Sequence, residues 1–153
     1  MKSTKKKLAI VTGAARGIGL ATAKLFSQND YKVAIVDRDK KELSNLSFTN
    51  NLMKSFCYDI SDFNKLDMMY QEILEWHDRV DVLVNNAGVA DFSPLEMTDF
   101  NRWNEVMKTN LDGAFMCSQK AINYLKTTKG SIINIASISG LRASTLRVAY
   151  GTS

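Results

Sequence analysis

The chain has 153 residues, of which 45% are apolar and 24% charged, as in a soluble globular domain or part of one. Its formal net charge of +4 is matched by four lysines near the N-terminus, Lys2, Lys5, Lys6 and Lys7. Such a tail can contact nucleic acid or a membrane surface, but beside a first strand it is more often a solvated end. We therefore expect no nucleic-acid or membrane partner. No apolar run approaches the roughly 18 residues of a membrane span.

The two cysteines, Cys57 and Cys117, exclude a disulfide framework, and neither has a partner at metal-ligand spacing. Both lie in apolar runs, so they are predicted to be buried free thiols. We expect no metal site and a reducing, cytoplasmic compartment. His77, the only histidine, is predicted to be a surface residue without a partner.

Short apolar runs alternate with longer helical patterns along the chain. The runs predict five strands, at residues 7–13, 32–37, 55–59, 80–85 and 131–137. Helices are predicted at 17–29, from near Asp39, after a cap at Asp62, and at 98–126. The first helix has an apolar stripe of Ile18, Ala21 and Leu25. The long helix has a stripe of Phe100, Trp103, Met107, Asn110, Ala114, Ala121 and Leu125, which is polar only at Asn110.

Strands that are apolar on both faces and separated by helices indicate a parallel sheet covered on both sides. Right-handed crossovers then give an α/β, doubly wound, Rossmann-like fold. Ligands of such sheets bind at the carboxyl ends of the strands, so a site should be built from residues that follow strands.

Three glycines, Gly13, Gly17 and Gly19, separate the first strand from the first helix in "TGAARGIG". Glycine permits a tight turn and lets the backbone approach a pyrophosphate, which the helix N-terminus then attracts. A generic turn is the alternative, because the spacing is G-x-x-x-G-x-G and differs from the usual dinucleotide fingerprint.

Asp37 ends the second strand, where a carboxylate can accept hydrogen bonds from an adenosine ribose and would repel a 2′-phosphate. It could instead be an acid at a helix N-terminus, as Asp39 is nearby. Arg16 and Arg38 favour NADP instead, since either could pair with its 2′-phosphate. We favour NAD over NADP.

These motifs, with others further along, resemble the short-chain dehydrogenase/reductase family over the whole chain. The cofactor motif T-G-x-x-x-G-I-G is matched from Thr12 to Gly19, and N-N-A-G from Asn85 to Gly88. The resemblance implies that the cofactor is bound by Gly13, Arg16, Gly17, Ile18, Gly19, Asp37, Asp59, Ile60, Asn86, Ala87 and Gly88. Of these, Asp59 and Ile60 match the adenine contacts that follow the third strand.

The resemblance also implies three catalytic residues: Asn110 in "KTNLDG", Ser137, and Tyr150 thirteen residues later. Ser137 would donate a hydrogen bond to a substrate carbonyl oxygen, and Tyr150 would pass it a proton as hydride arrives from the nicotinamide. Each residue has a plainer interpretation, Asn110 as a core amide satisfied by backbone, Ser137 as a turn former and Tyr150 as a frayed end.

A tyrosine phenol has an ordinary pKa of about 10, so proton transfer near neutral pH needs a cation to stabilise the phenolate. In the family that cation is a lysine four residues after the tyrosine, which would be position 154. We therefore expect this chain to be the N-terminal part of an enzyme, with strand order 3-2-1-4-5 of a longer sheet, and to have little dehydrogenase activity alone.

The complete protein is expected to interconvert an alcohol and a ketone, and to form a homodimer or homotetramer as the family commonly does. The alternative is a mature, non-catalytic nucleotide-binding or interaction module. The substrate stays open among β-ketoacyl thioesters, polyols and steroids, because the segment 138–149 points to no one of them.

Overall fold

The computed structural model describes residues 5–48, 51–142 and 145–153. Five parallel strands form one sheet in the order β3-β2-β1-β4-β5. They are β1 (Leu8–Thr12), β2 (Lys32–Asp37), β3 (Met53–Cys57), β4 (Val82–Asn85) and β5 (Ser131–Asn134). The predicted doubly wound fold and strand order are confirmed.

Six α-helices are found in the described residues: α1 (Gly17–Gln28), α2 (Lys40–Ser44), α3 (Leu66–Trp76), α4 (Phe100–Met107), α5 (Ala114–Thr128) and α6 (Val148–Thr152). A π turn, Lys108–Gly113, joins α4 to α5, and short 3₁₀ turns occur at Phe63–Lys65, Leu95–Met97 and Ile138–Gly140. No helix in the described ranges has both the length and the apolar character needed to cross a bilayer.

The core has two layers because successive residues of a strand point to opposite faces of the sheet. In β1, Leu8 and Ile10 face one side, where α3 and α5 pack, and Ala9 and Val11 face the other, where α1 and α2 pack. All five residues of β1 are buried. The sheet is therefore covered on both sides at its centre, as the apolar runs predict.

The first helix packs on a different face from the predicted one. The predicted stripe of Ile18, Ala21 and Leu25 is exposed, with Ile18 at 67%. The helix instead buries Gly19, Ala23 and Ser27, and packs Leu20 and Phe26 beside them. Small residues let a helix approach a sheet closely. The buried face of α1 therefore carries few large apolar side chains, and the apolar periodicity that would predict this face is weak.

The predicted long helix contains the π turn, and its predicted stripe is partly wrong. Ala121 and Leu125 are buried as predicted, but Phe100 is 74% exposed. Upstream, Val106, Thr109 and Gly113 are buried, each one residue before a predicted position, and Cys117 is buried between the predicted Ala114 and Ala121. A π turn is wider than an α turn, so it shifts the phase of the stripe that a uniform period of 3.6 predicts.

Three smaller predictions need correction. Cys57 is exposed and only Cys117 is buried, because Cys57 is the last residue of β3, a strand at the sheet's edge. Burial raises the pKa of the Cys117 thiol to about 12, so that thiol stays protonated.

His77 has a partner, since its Nε2 atom lies 2.7 Å from the Lys6 carbonyl oxygen. Asp62 begins the turn Phe63–Lys65 rather than α3 itself.

The basic N-terminal segment lies against acidic side chains. Lys5 pairs with Asp78, and Lys6 with Asp30. These contacts suit the interpretation as a solvated end, and Lys2 lies outside the described residues.

A buried carboxylate anchors the start of β1 to the start of β4. Asp81 is 5% exposed, and its Oδ2 accepts hydrogen bonds from Leu8 N and Arg79 Nε, each at 2.8 Å. Loss of this carboxylate would leave the Leu8 N–H without its acceptor and remove the negative charge that faces the Arg79 guanidinium.

Asp81→Ala should lower the free energy of unfolding by about 3 kcal/mol, since breaking a buried, hydrogen-bonded pair is costly. Equilibrium urea denaturation would measure the change. Asp78→Ala, which removes an exposed pair close by in the chain, should leave the unfolding free energy nearly unchanged. Equal effects of the two substitutions would contradict this account of Asp81.

Candidate functional site

A groove of about 300 Å³ lies at the carboxyl ends of β1, β2 and β4. Ten of the eleven residues predicted to hold a cofactor line it: Gly13, Arg16, Ile18, Gly19, Asp37, Asp59, Ile60, Asn86, Ala87 and Gly88. Gly17, the eleventh, is the first residue of α1, beside the groove. The structure therefore brings together residues from four separate parts of the sequence.

The floor of the groove is a hydrogen-bonded interlock between the ends of β1 and β4. The Thr12 hydroxyl accepts from the backbone N–H groups of Asn86 and Ala87, each at 3.1 Å, and lies 3.3 Å from the Val84 carbonyl, to which it donates. The Asn86 amide donates to the carbonyls of Thr12 (2.9 Å) and Gly13 (3.0 Å). Asn86 thus serves here as a structural tie, with its side chain already engaged.

Two glycines make this interlock possible. A Cβ on Gly13, whose φ is +62°, would lie 2.6 Å from Ala87 Cα. A Cβ on Gly19 would lie 2.3 Å from the Gly13 carbonyl oxygen and 2.5 Å from Asn86 Nδ2. No side chain fits at either position, so Gly13 and Gly19 contribute only backbone atoms to the groove, which lets a phosphate group approach them closely.

The N-terminus of α1 opens onto the groove without a side-chain cap. Arg16 occupies the N-cap position with extended backbone and makes no capping hydrogen bond, and the first turn contains no acidic residue. The first backbone N–H groups of a helix lack intrahelical partners, and the helix dipole favours an anion there. This end of α1 is therefore suited to a negatively charged ligand.

The Asp37 carboxylate stands at the rim, fixed by two backbone donors. Its Oδ2 accepts from Ala15 N and its Oδ1 from Asp39 N, both at 3.0 Å. A carboxylate has about four acceptor positions, so two are left for a ligand. Asp39 has a separate task, because it caps α2 by accepting from Glu42 N.

Arg16 and Arg38, the two arginines that line the groove, both face carboxylates. The guanidinium of Arg38 lies 3.4 Å from Asp59 and 3.8 Å from Glu105, and that of Arg16 lies 3.9 Å from Asp39. Burial alone would raise the pKa of Asp59, but hydrogen bonds from Ser61 and the Arg38 charge lower it below its ordinary value. Asp59 is therefore a carboxylate at neutral pH.

Asn110 sits in the π turn and ties three segments together. Its Oδ1 accepts from Val89 N at 2.8 Å, and its Nδ2 donates to the Val89 carbonyl at 3.0 Å and to Ser153 Oγ at 2.9 Å. Single π turns occur frequently at functional sites. Here the π turn places the Asn110 side chain against the loop after β4 and the end of α6.

Ser137 and Tyr150 lie on adjoining segments outside the lining of the groove. Ser137 follows β5, which ends three residues earlier, at Asn134, and not at Ser137 as predicted. Its hydroxyl accepts from Ser139 N at 3.2 Å and caps the turn Ile138–Gly140, against which α6 packs. Tyr150 is half-buried in α6.

Sequence reasoning missed several residues of the groove. Val36, Tyr58, Val89 and Thr109 also line it, and their types carry no signal of their own. Burial and the neighbouring Glu72 raise the pKa of Tyr58 to about 12, and its hydroxyl donates to Glu72 at 2.8 Å. Ser153 could have been found only through its neighbour in space, Asn110.

Comparison with known proteins gives a consistent result. The family model described as short chain dehydrogenase matches residues 7–153. The chain is 34% identical over 137 residues to the meso-2,3-butanediol dehydrogenase of Serratia marcescens, covering 88% of this chain and 55% of the relative. It is 36% identical over 146 residues to a 3-oxoacyl-(acyl-carrier-protein) reductase of Staphylococcus aureus, covering 92% and 58%.

A solved structure shows the same fold. A short chain dehydrogenase from Bacillus anthracis superposes with a TM-score of 0.89 at 28% identity, over 95% of this chain and 63% of that one. The chain thus spans 55% to 63% of the length of these three proteins. With the family model matched over residues 7–153, the chain belongs to the short-chain dehydrogenase family, whose members are oxidoreductases that transfer a hydride.

Proposed function

We propose that the complete protein transfers a hydride between a nicotinamide cofactor and an alcohol or ketone, with NAD preferred over NADP. The observation that carries the proposal is the interlocked groove, in which bare backbone, an uncapped helix N-terminus and a fixed carboxylate lie side by side. This donor and acceptor set suits a dinucleotide, whose pyrophosphate needs N–H groups and whose ribose needs an acceptor.

The cofactor would lie with its pyrophosphate against the first turn of α1, near Gly17 and Gly19. Asp37 would accept from the adenosine ribose hydroxyls, and Asp59 and Ile60 would border the adenine. Ala87 and Gly88 would border the groove toward the active site. A cavity of about 300 Å³ is at the lower end of ligand pockets, which suits an open groove that holds an extended ligand.

The preference for NAD follows from charge. A 2′-phosphate would enter beside Asp37, where Asp39, Asp59 and Glu105 already face the two arginines. Because Arg16 and Arg38 already face carboxylates, neither guanidinium is free to neutralise a further dianion beside the Asp37 carboxylate.

In the reducing direction the carbonyl carbon gains a hydride and the carbonyl oxygen gains a proton. When bound, a reduced nicotinamide supplies the hydride. Ser137 would donate a hydrogen bond to the oxygen, and the Tyr150 hydroxyl would transfer its proton to it. The phenolate left behind needs a nearby cation, which the family pattern places at position 154.

Asn110 would position Tyr150 rather than touch substrate. Ser153 accepts from the Asn110 amide and donates to the Tyr150 carbonyl oxygen at 3.1 Å. This short chain of hydrogen bonds connects the loop after β4 to the helix that carries the tyrosine.

The names of the relatives suggest the substrates to try first. One relative is named for a small vicinal diol and another for a 3-oxoacyl thioester. We propose a substrate with a secondary alcohol or ketone, and an NADH-linked assay with acetoin, 2,3-butanediol and acetoacetyl thioesters distinguishes between the two types.

The complete protein should bind NADH at least about tenfold more tightly than NADPH, and Asp37→Asn should weaken NADH binding about tenfold through loss of charge-assisted hydrogen bonds. Fluorescence titration measures both constants. Asp30→Asn, at the opposite end of β2, is the matched control and should change neither. A wild-type preference for NADPH would contradict the assignment of Asp37.

Tyr150→Phe should lower kcat by about 10² or more while the dissociation constant for NADH stays unchanged, because only proton transfer is lost. Stopped-flow or steady-state assays of the complete protein measure the rate. Tyr124→Phe removes a hydroxyl from a tyrosine of α5 that lines a separate pocket beside Tyr70, and should leave kcat intact. NADH binding without turnover by the wild type would favour a binding module over an enzyme.

Ser153→Ala should lower kcat about fivefold with the KM for the ketone unchanged, because one hydrogen bond that positions the helix is lost. Thr152→Ala is its control, since the Thr152 hydroxyl bonds only to the Val148 carbonyl of the same helix in the described residues. If both variants lose the same activity, Ser153 has no special role.

A further inference from the structure

We propose that Glu105, on α4, is a determinant of cofactor choice because it holds the Arg38 guanidinium away from the position of a 2′-phosphate. This inference rests on the proposed function and concerns a residue far from the cofactor motifs in sequence. Glu105 is 67 positions beyond Arg38, yet their charged groups lie 3.8 Å apart.

Arg38 is the cation best placed to accept a 2′-phosphate. It follows Asp37 directly and lines the groove. The preceding residue, Asp37, is paired with Cys57 in the β2–β3 register, and its carbonyl accepts from Tyr58 N at 2.9 Å, so the backbone beside Arg38 is fixed while the long side chain can rotate.

Two carboxylates from different elements hold that side chain to one side. Arg38 Nη1 lies 3.4 Å from Asp59 Oδ2, and Nη2 lies 3.8 Å from Glu105 Oε1. The two terminal nitrogens of the Arg38 guanidinium thus face the loop after β3 and α4 at once. A guanidinium placed in this way would have to break its contacts with both carboxylates before it could form a bidentate contact with a phosphate.

Glu105 is itself held in place. Its other oxygen, Oε2, lies 3.3 Å from Arg102 one turn earlier on α4. Arg102, Glu105, Arg38 and Asp59 therefore form a chain of alternating charge from α4 across to the loop after β3. These side chains are a third to two thirds exposed, so each contact is weak and sensitive to salt.

The strength of such pairs sets the size of the effect. An exposed ion pair changes an equilibrium by about two- to fivefold. Glu105→Gln should therefore tighten NADPH binding by about two- to fivefold and leave NADH binding unchanged, which lowers the ratio of the two dissociation constants by the same factor.

The experiment is fluorescence titration of the complete protein with NADH and with NADPH, at ionic strengths of about 0.01 M and about 1 M. The shift should be present at low salt and largely lost at high salt. Asp67→Asn, the same charge change on α3, where Asp67 pairs with Lys120, is the control and should not alter the ratio. Circular dichroism and the melting temperature confirm that each variant is folded.

A double variant shows whether Glu105 acts through Arg38. In an Arg38→Gln background, Glu105→Gln should no longer change NADPH affinity. An unchanged ratio in the single variant, or an equal shift with Arg38 absent, would overturn the proposal while leaving NADH binding and the proposed function intact. Failure of the wild type to bind either dinucleotide would refute the proposed function, and this inference with it.

Discussion

The close contact between the loop after β1 and the loop after β4 is the constraint on which the site depends. Thr12 and Asn86 supply five hydrogen bonds to it, and the atoms they join lie so near that neither Gly13 nor Gly19 could carry a Cβ. Beside this contact, one wall of the groove is the backbone of Gly13 and Gly19. That wall leads directly to the uncapped N-terminus of α1.

The rest of the site is arranged around this floor by side-chain ties between distant elements. Asn110 fixes the loop after β4 from one side, and Arg38 joins the loops after β2 and β3 to α4 from the other. Gly113, at the end of the π turn, packs so closely on Ile60 that a Cβ there would lie 2.8 Å from it. The π turn thus borders both the proposed adenine end and the proposed catalytic end.

Motifs that depend on local backbone geometry could be predicted from the sequence. The buried faces of the helices, which depend on packing, could not. The glycines and Asp37 signal their positions because each comes at the end of an unambiguous apolar run, whereas the Asn-Asn-Ala-Gly segment at the end of β4 is identified through the family resemblance. The buried faces of α1 and α4 differ from the predicted ones because small residues carry little periodic signal and a π turn changes the phase of the apolar stripe. The Asn110–Ser153 and Arg38–Glu105 contacts span 43 and 67 positions, and nothing local encodes them.

A crystal structure of the complete protein with NADH tests the central claim most directly. We predict that the pyrophosphate lies on the first backbone N–H groups of α1, that both adenosine ribose hydroxyls face Asp37, and that the Thr12–Asn86 interlock is unchanged from the free protein. A dinucleotide bound elsewhere, or bound in this groove only after the Gly13 and Asn86 backbones separate, would contradict the claim that the groove is formed before the ligand arrives.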